Sequence, residues 1–340
     1  MSSSTPETEV SRKVQSVGGS SFSVSLPKDW ATDNGLEAGR EVYLYPHEDG
    51  TLVLRTTERG DATEELDVSA DDVPPDRLSR AVAALYLAGA DRFALRTDDR
   101  FSSAERRAMT AAAGDLVGLE VAEETADRVA FRGVRRSGDL AIGQTVLNLR
   151  YVALSMHRTA TGAVLDGDAD RAREVARQSD DVARQFALVG RCVERRVGLP
   201  PGPNRPDVDR RTALDYFAIA RELVGVASCA ERVAAVAREL DDPPTGAAAS
   251  ALSDYARDSR RVVERAVEAT INGRAPETAY DALDRREALA DDLDLPARPP
   301  FDADEVDPYH AALVMDALDR TAEHGGNVAE RALKMGLRAD

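Results

Sequence analysis

The spacing of apolar and polar positions changes along the chain and divides it into blocks. Residues 10–56 hold short segments in which apolar and polar residues alternate, residues 57–136 combine such segments with amphipathic helices, and residues 137–340 are almost wholly helical in pattern. Alternation predicts half-buried strands, and apolar positions three to four residues apart predict helices that bury one face. The pattern of apolar and polar positions therefore predicts a multidomain protein with a small all-β head, a small α/β middle domain and a C-terminal all-α domain. Residues 1–9 are rich in Ser, Thr and Glu and predict a disordered tail.

The head block has the pattern of two strand pairs separated by a helical turn. Phe22, Val24 and Leu26 alternate with serines, as expected for a half-buried strand. Pro27 ends that strand, because proline cannot donate a ladder hydrogen bond. The predicted elements are strands at Arg12–Val17 and Phe22–Leu26 around Gly18-Gly19, a helical turn at Asp29–Asn34 closed by Gly35, and a hairpin of Glu41–Tyr45 with Thr51–Arg55 through Glu48-Asp49-Gly50. A block this short has too little core to fold alone, so we expect an obligate, interleaved homodimer.

Helix signals dominate the rest of the chain. In the middle block, Ser102 or Ser103 suits the N-cap of a helix whose first turn holds Glu105–Arg107. The predicted middle elements are helices at Pro74–Ala88 and Ser102–Asp115, a strand at Arg92–Arg96, and a closing hairpin of Gly118–Glu124 with Arg128–Phe131. Helices are then predicted at 138–165, 168–197, 208–240, 246–272, 275–294 and 305–337, with strong proline-rich breaks after 197 and after 294.

The order of these C-terminal helices indicates a duplicated three-helix unit. Arg221-Glu222 on the third helix corresponds to Asp319-Arg320 on the sixth, and Asp180-Asp181 on the second corresponds to Asp284–Glu287 on the fifth. One repeat would comprise residues 137–200 with 207–240, and the other residues 245–295 with 304–338. We therefore expect the all-α domain at 137–340 to be a pair of three-helix bundles.

The charge of the chain bears on where it works. Its formal net charge is -17, and only three of its 44 basic residues are lysines, namely Lys13, Lys28 and Lys334. Such a surface suits a cytoplasm at molar salt, where the Debye length falls to about 3 Å, and it indicates a halophile. A GC-rich genome is the alternative explanation for the missing lysines. No apolar run approaches the roughly 20 residues that span a bilayer, and the N-terminus lacks the features of a signal peptide, so we expect a cytoplasmic protein without membrane insertion.

One stretch of this acidic chain carries basic residues and no acid. Val10–Lys28 contains Arg12, Lys13 and Lys28 but neither Asp nor Glu, as a surface that meets a polyanion would. Arg and Gln can read guanine and adenine edges, whereas Lys, Ser and backbone N–H groups can hold phosphates. The candidate DNA-binding residues are Arg12, Lys13, Gln15, Ser20, Ser21 and Lys28. Leu140–Leu165 is a longer acid-free run that we interpret as a buried helix, so the absence of acid does not by itself separate DNA binding from a structural role.

The helical block contains no catalytic motif, so we do not expect an enzyme. It has no Gly-rich phosphate loop, no H-E-x-x-H motif and no nucleophile motif. Asp319 and Glu323 are one helical turn apart, with His324 adjacent, and two such carboxylates can share a divalent or iron-type metal. The chain has 61 acidic residues, so a solvated acidic face is the alternative interpretation of this pair.

Four motifs of the head occur in a familiar order. They are Arg12-Lys13, Gly19–Ser21, the segment from Val24 to Trp30 that contains Leu26-Pro27-Lys28, and the segment from Gly35 to Val42 that contains Gly39. This order resembles the swapped-hairpin family of AbrB, SpoVT and MazE, which implies a dimeric DNA-binding head. Arg40 departs from the pattern, since the family usually has Asp or Glu at that position. The head also has few basic residues for this family, which leaves open a copy that only dimerises.

The remainder of the chain, from about Pro74, has a second resemblance. Segments of the middle block such as DRLSRAVAALYLAGADRFALR, and the sixth-helix segment from Asp319 to Glu330, resemble the archaeal form of PhoU, the phosphate-uptake regulator. The sixth helix is similar to the family's metal-binding helix, whereas Ala183 and Val226 stand where the family usually has acids. The resemblance implies a regulator whose partner is the phosphate transporter ATPase or a signalling protein, rather than an enzyme.

Together the two resemblances imply a regulator of phosphate uptake and phosphate homeostasis. It would bind DNA through the head and repress phosphate-transport genes when phosphate is plentiful, and it would form a homodimer or a higher oligomer. The alternative is an adaptor that does not bind DNA and restrains the transporter or its signalling partner, with a head that only dimerises.

Overall fold

The computed structural model describes residues 10–17, 21–46, 52–56, 65–133, 142–198, 210–271, 276–294, 302 and 304–338. Two compact units divide the chain, one ending before Glu65 and a second that begins there. The described residues form a small strand-rich N-terminal region, a small sheet domain and a large helical C-terminal part. The predicted multidomain fold class is therefore confirmed.

The first unit contains two short hairpins and one helix. Its described elements are β1 (Gln15–Val17), β2 (Ser21–Ser23), α1 (Lys28–Asp33), β3 (Tyr43–Pro46) and β4 (Leu52–Arg55). β1 pairs with β2, and β3 pairs with β4, both antiparallel. The first hairpin is shorter than predicted, because pairing within the described chain stops at Gln15 and Ser23. The turns predicted at Gly18-Gly19 and at Glu48-Asp49-Gly50 lie outside the described residues.

The helix of the first unit ends at Asp33 and is closed by Gly35, as predicted. This glycine has a φ of 64°, a left-handed conformation in which a side chain would be strained. The N–H of Leu36 donates to the carbonyl of Ala31 at 2.8 Å, which is the hydrogen bond of a Schellman motif. Arg40 donates from Nη1 to the carbonyl oxygen of Gly35 at 2.7 Å, so its cation lies at the negative end of the helix.

The second unit begins with a four-stranded sheet covered by two helices. Its elements are β5 (Leu66–Ser69), a 3-10 turn (Pro75–Arg77), α2 (Leu78–Leu87), β6 (Arg92–Arg96), α3 (Ser103–Gly114), β7 (Leu119–Glu124) and β8 (Arg128–Gly133). The strand order is β5-β6-β8-β7, with β5 parallel to β6 and the other pairs antiparallel. The sequence analysis missed β5, an edge strand of four residues that is mostly exposed.

Side chains of α2, α3 and one face of this sheet form the middle-domain core. Phe93 and Phe131 stack at 5.0 Å between ring centroids, and Tyr86 and Met109 are fully buried against the same face. The predicted start of α3 is confirmed, because the hydroxyl of Ser102 accepts from the N–H of Glu105 in a capping box.

The helical part consists of two three-helix bundles. Their helices are α4 (Ile142–Asp166), α5 (Ala169–Gly198), α6 (Arg210–Ala237), α7 (Gly246–Ile271), α8 (Pro276–Asp294) and α9 (Pro308–Gly336). α4, α5 and α6 pack together, as do α7, α8 and α9, and the bundles meet where α6 contacts α9 and α4 contacts α7. The prediction of helices in this order is confirmed, and one continuous apolar core runs through both bundles.

Two further properties of the described residues bear on the interpretation. None of their helices combines the length and the apolar character that crossing a membrane requires. Neither Cys192 nor Cys229 forms a disulfide within the part of the chain that the structure describes.

Candidate functional site

The hairpin of β1 and β2 separates the predicted DNA-binding residues from an apolar side chain. Gln15 lies opposite Ser23, and Val17 lies opposite Ser21, so these residues share one face. Phe22 lies opposite Ser16 on the other face, and its side chain is 79% exposed. The hairpin therefore presents a largely polar surface on one side and an uncovered aromatic ring on the other.

The remaining candidate DNA-binding residues are exposed on flanking segments. Arg12 and Lys13 precede β1, and Lys28 is the first residue of α1. Arg12 donates from Nη1 to the carbonyl of Ser11 at 2.9 Å, and Ser21 donates from Oγ to the carbonyl of Val17 at 2.7 Å. Ser20 lies outside the described residues. The structure brings Gln15 and Ser21 onto one face, and a role for any of these residues in DNA binding stays a prediction.

The first unit leaves most of its apolar side chains uncovered. Helix α1 buries no residue, and Trp30 within it is 39% exposed. The exposed large apolar residues of this unit are Val10, Val14, Val17, Phe22, Val24, Leu26, Trp30, Leu44 and Leu52. A surface of this kind on so small a unit is typical of an interface with another chain.

A seam of ionic and polar contacts joins the two bundles along α6 and α9. Glu222 of α6 accepts from Nδ2 of Asn327 at 3.0 Å, and its Oε2 lies 2.8 Å from Nδ1 of His324. Gly225 makes room for this arrangement, since a Cβ built there would overlap the imidazole of His324. Further along, Arg232 forms a salt bridge with Asp316 at 2.7 Å, so the helices run antiparallel.

The other end of the seam holds a buried carboxylate. The side chain of Asp215 is only 5% exposed, and its two oxygens accept from Arg331 at 3.3 Å and from Arg338 at 3.1 Å. Between this triad and Glu222, a cavity of about 200 Å³ opens beside Asn327 and Lys334. The seam is therefore the most polar interhelical surface that we find between the bundles.

The predicted metal ligands do not converge with other donors. Asp319 accepts a hydrogen bond from the hydroxyl of Tyr255 at 3.0 Å, which directs it toward α7, and Glu323 is exposed. Within the described ranges, no three His, Cys, Asp or Glu side chains come together as metal ligands. Two carboxylates alone do not complete a tight metal site, so metal binding by Asp319 and Glu323 stays a prediction.

Sequence reasoning missed the pairing of Glu222 with His324. Both residues were visible as helical polar positions, but 102 residues separate them. The proposed repeat contained the relevant signal. Two copies of a three-helix unit that meet through equivalent helices run antiparallel there, which places Glu222 opposite the turn of His324 and Asn327.

A second polar junction connects the middle domain to α5. Arg191 is 6% exposed and donates from Nη1 to the carbonyls of Tyr86 at 2.7 Å and Ala90 at 2.9 Å, and from Nη2 to Asp91 at 2.9 Å. Its guanidinium also lies 4.5 Å from the centroid of the Tyr86 ring. Burial raises the pKa of Tyr86 to about 12, so its hydroxyl stays protonated and can donate to the carbonyl of Val117 at 3.0 Å.

Comparisons with known proteins agree with both resemblances. Residues 15–61 match the family described as antidote-toxin recognition MazE, bacterial antitoxin, and residues 146–237 match the PhoU domain. The crystal structure of PhoU from Pseudomonas aeruginosa is similar, with 16% identity and a TM-score of 0.47 over 58% of this chain and 96% of that chain. The PhoU structure from Streptococcus pneumoniae, a phosphate transport system regulatory protein, shows 15% identity and a TM-score of 0.46 over 57% and 94%. No curated protein sequence matches the chain.

Proposed function

We propose that this chain, which joins a MazE-like head to a PhoU domain, is a DNA-binding regulator of phosphate uptake. It represses phosphate-transport genes in the cytoplasm when phosphate is plentiful. The observation that supports this proposal most is the two-sided hairpin of the head. Gln15, Ser21 and Ser23 share one face with Val17, and Phe22 lies on the other face with Ser16.

The apolar side of the head is suited to a second copy of the chain. Isolated two-stranded hairpins are marginally stable in water and need further strands or a helix against them. Phe22 is 79% exposed and Val14 is 64% exposed, so a partner head would cover side chains that this chain leaves open. Interleaving with a second copy would also lengthen the first hairpin beyond Gln15 and Ser23.

The polar side then faces outward twice, once from each copy. We infer that Arg12 and Gln15 contact base edges, and that Lys13, Ser21 and Lys28 contact phosphates. Few cations contribute, so direct hydrogen bonds carry more of the binding than counterion release does. This division suits a chain with a formal net charge of -17, since the rest of its surface repels DNA.

Gel-shift titration of the full chain against promoters of phosphate-transport genes tests the proposal. Across a KCl series, we expect sequence-dependent binding whose logarithmic salt slope is small. Arg12→Ala/Lys13→Ala should weaken it at least tenfold and lower the slope by about one unit for each phosphate contact removed. The matched control is Arg100→Ala/Arg107→Ala, which removes the same charge from exposed positions of the middle domain.

A second candidate function is favoured by the side chains of the head, because more of them are apolar than basic. In this reading the head only dimerises, and the helical part restrains the phosphate transporter ATPase or its signalling partner. Phe22→Ser would then convert the dimer to a monomer in analytical ultracentrifugation, while the wild type would show no sequence-dependent DNA binding at any salt. That pair of results would replace the first proposal with this one.

A further inference from the structure

The crossing of α4 with α7 contains a buried imidazole with an unusual neighbourhood. His157 of α4 is 1% exposed, and its Nδ1 lies 3.3 Å from Nη1 of Arg260 on α7. Burial, reinforced by the charges of Arg260 and Arg158, lowers the pKa of His157 from 6.5 to about 3. The ring is therefore neutral near pH 7, and its Nδ1 accepts a hydrogen bond from the guanidinium of Arg260, because arginine can only donate.

This geometry leaves a donor without a partner. When Nδ1 accepts from Arg260, the ring proton resides on Nε2, and that buried atom has no hydrogen-bond partner among the described residues. An unsatisfied buried donor destabilises the folded state, so it calls for a missing acceptor. The crossing thus holds a buried imidazole N–H without a partner on one edge of the ring and the guanidinium of Arg260 on the other.

The cluster also has an excess of positive charge. Arg158 lies close enough to Arg260 that, after burial, its charge is the largest influence that lowers the pKa of Arg260. In the described ranges no carboxylate oxygen lies within 4 Å of either guanidinium; Glu264 and Asp258 act on Arg260 only at longer range. Arg191, a buried arginine of the same unit, is by contrast paired with Asp91.

We propose that His157, Arg158 and Arg260 form a binding site for a small tetrahedral oxyanion where the two bundles meet. Guanidinium groups bind such oxyanions through paired N–H donors, and the exposed Arg158 follows His157 directly on α4. A bound anion would neutralise the half-buried Arg260 and tie α4 of one bundle to α7 of the other. The proposal rests on the proposed function in one respect: in a regulator of phosphate uptake, this site would bind phosphate itself and so sense it directly.

Isothermal titration of the full-length protein with inorganic phosphate tests the site. At fixed ionic strength in KCl, we expect saturable binding of one phosphate per chain, with sulfate as a competitor. A separate titration with adenosine monophosphate distinguishes a free oxyanion from a phosphoryl group on a larger molecule. Arg260→Gln and Arg158→Gln should each weaken phosphate binding at least tenfold.

The matched control is Arg257→Gln. Arg257 lies one turn from Arg260 and forms salt bridges with Asp254 and Asp258. This variant should bind phosphate as the wild type does. If Arg260→Gln does not fold by circular dichroism, the exposed Arg158→Gln variant decides. The proposal is overturned if the wild type shows no saturable phosphate binding, or if Arg158→Gln and Arg257→Gln bind alike. Gel shifts without phosphate report on the DNA-binding proposal separately, so the two failures are distinguishable.

Discussion

Replacing Arg191 with alanine should loosen the middle domain from the helical part. Arg191 makes two hydrogen bonds to carbonyls of Tyr86 and Ala90, one ion pair to Asp91, and a cation–π contact with the Tyr86 ring. Its removal takes a donor from each of these acceptors, although the N–H of Gly89 still donates to the carbonyl of Tyr86 at 3.0 Å and Arg195 still reaches Asp91 at 3.2 Å. These contacts link the middle domain to α5 of the helical part.

The expected loss of stability follows from the burial of the ion pair between Arg191 and Asp91. The side chains of Arg191 and Asp91 are 7% and 16% exposed, and breaking a buried ion pair by removing one partner costs about 3–5 kcal/mol. The surviving bond from Arg195 reduces that figure, whereas the lost cation–π contact adds about 1–2 kcal/mol. We therefore expect Arg191→Ala to lower the free energy of unfolding by about 3–5 kcal/mol.

Urea unfolding followed by circular dichroism measures this loss, and hydrogen exchange locates it. Amides of residues 65–133 and of α5 should exchange faster in Arg191→Ala, while those of α7–α9 stay protected. The matched control on the same helix is Arg184→Ala, which removes an exposed ion pair with Asp181 and should cost less than about 1 kcal/mol. If both variants lose the same stability, or if protection falls uniformly, the idea of a specific junction at Arg191 is refuted.

Three further outcomes test the packing of the helical part. As the pH falls from 6 to 4, the wild type should lose about 1.4 kcal/mol of stability per pH unit relative to His157→Asn. The reason is that His157 takes up a proton below about pH 6.5 in the unfolded chain but stays neutral in the folded state. Plots of unfolding free energy against pH that run parallel for the two proteins would contradict this. Gly225→Ala should displace the His324 ring and lower the free energy of unfolding by about 1–3 kcal/mol, whereas Gly114→Ala, which meets open space, should not. Asp215→Asn should cost about 1–2 kcal/mol in urea, since it weakens two charge-assisted hydrogen bonds from partly exposed arginines; an unchanged midpoint would show that they add nothing.

Much of the fold was predictable from local signals. The helices of the second unit carry long apolar repeats, and proline or glycine marks their ends, so their order was clear from the sequence. Ser102 predicted a helix N-cap and Gly35 predicted a helix end, because few other residue types suit those positions. β5 escaped prediction, since a short edge strand with a single half-buried side chain leaves almost no periodic trace.

The polar contacts between distant elements could not be predicted in the same way. Arg191 occurs in a helix rich in arginines, and only its burial beside Tyr86 distinguishes it from the solvated ones. In the sequence, nothing distinguishes His157 from other helical histidines. Its contact with Arg260 arises only because α7 crosses α4 and places that guanidinium at Nδ1. Such pairs depend on how helices cross, and that information is spread over the whole core rather than carried by the residues concerned.

Occupancy of DNA by the full-length protein inside its own cells tests the central claim most directly. Chromatin immunoprecipitation should find the wild type upstream of phosphate-transport genes in cells grown with plentiful phosphate, with occupancy falling when phosphate is withdrawn. Arg12→Ala/Lys13→Ala should lose that occupancy at both phosphate levels, and Arg100→Ala/Arg107→Ala should retain it. Occupancy at background level in both media, or occupancy that ignores phosphate, would contradict the account.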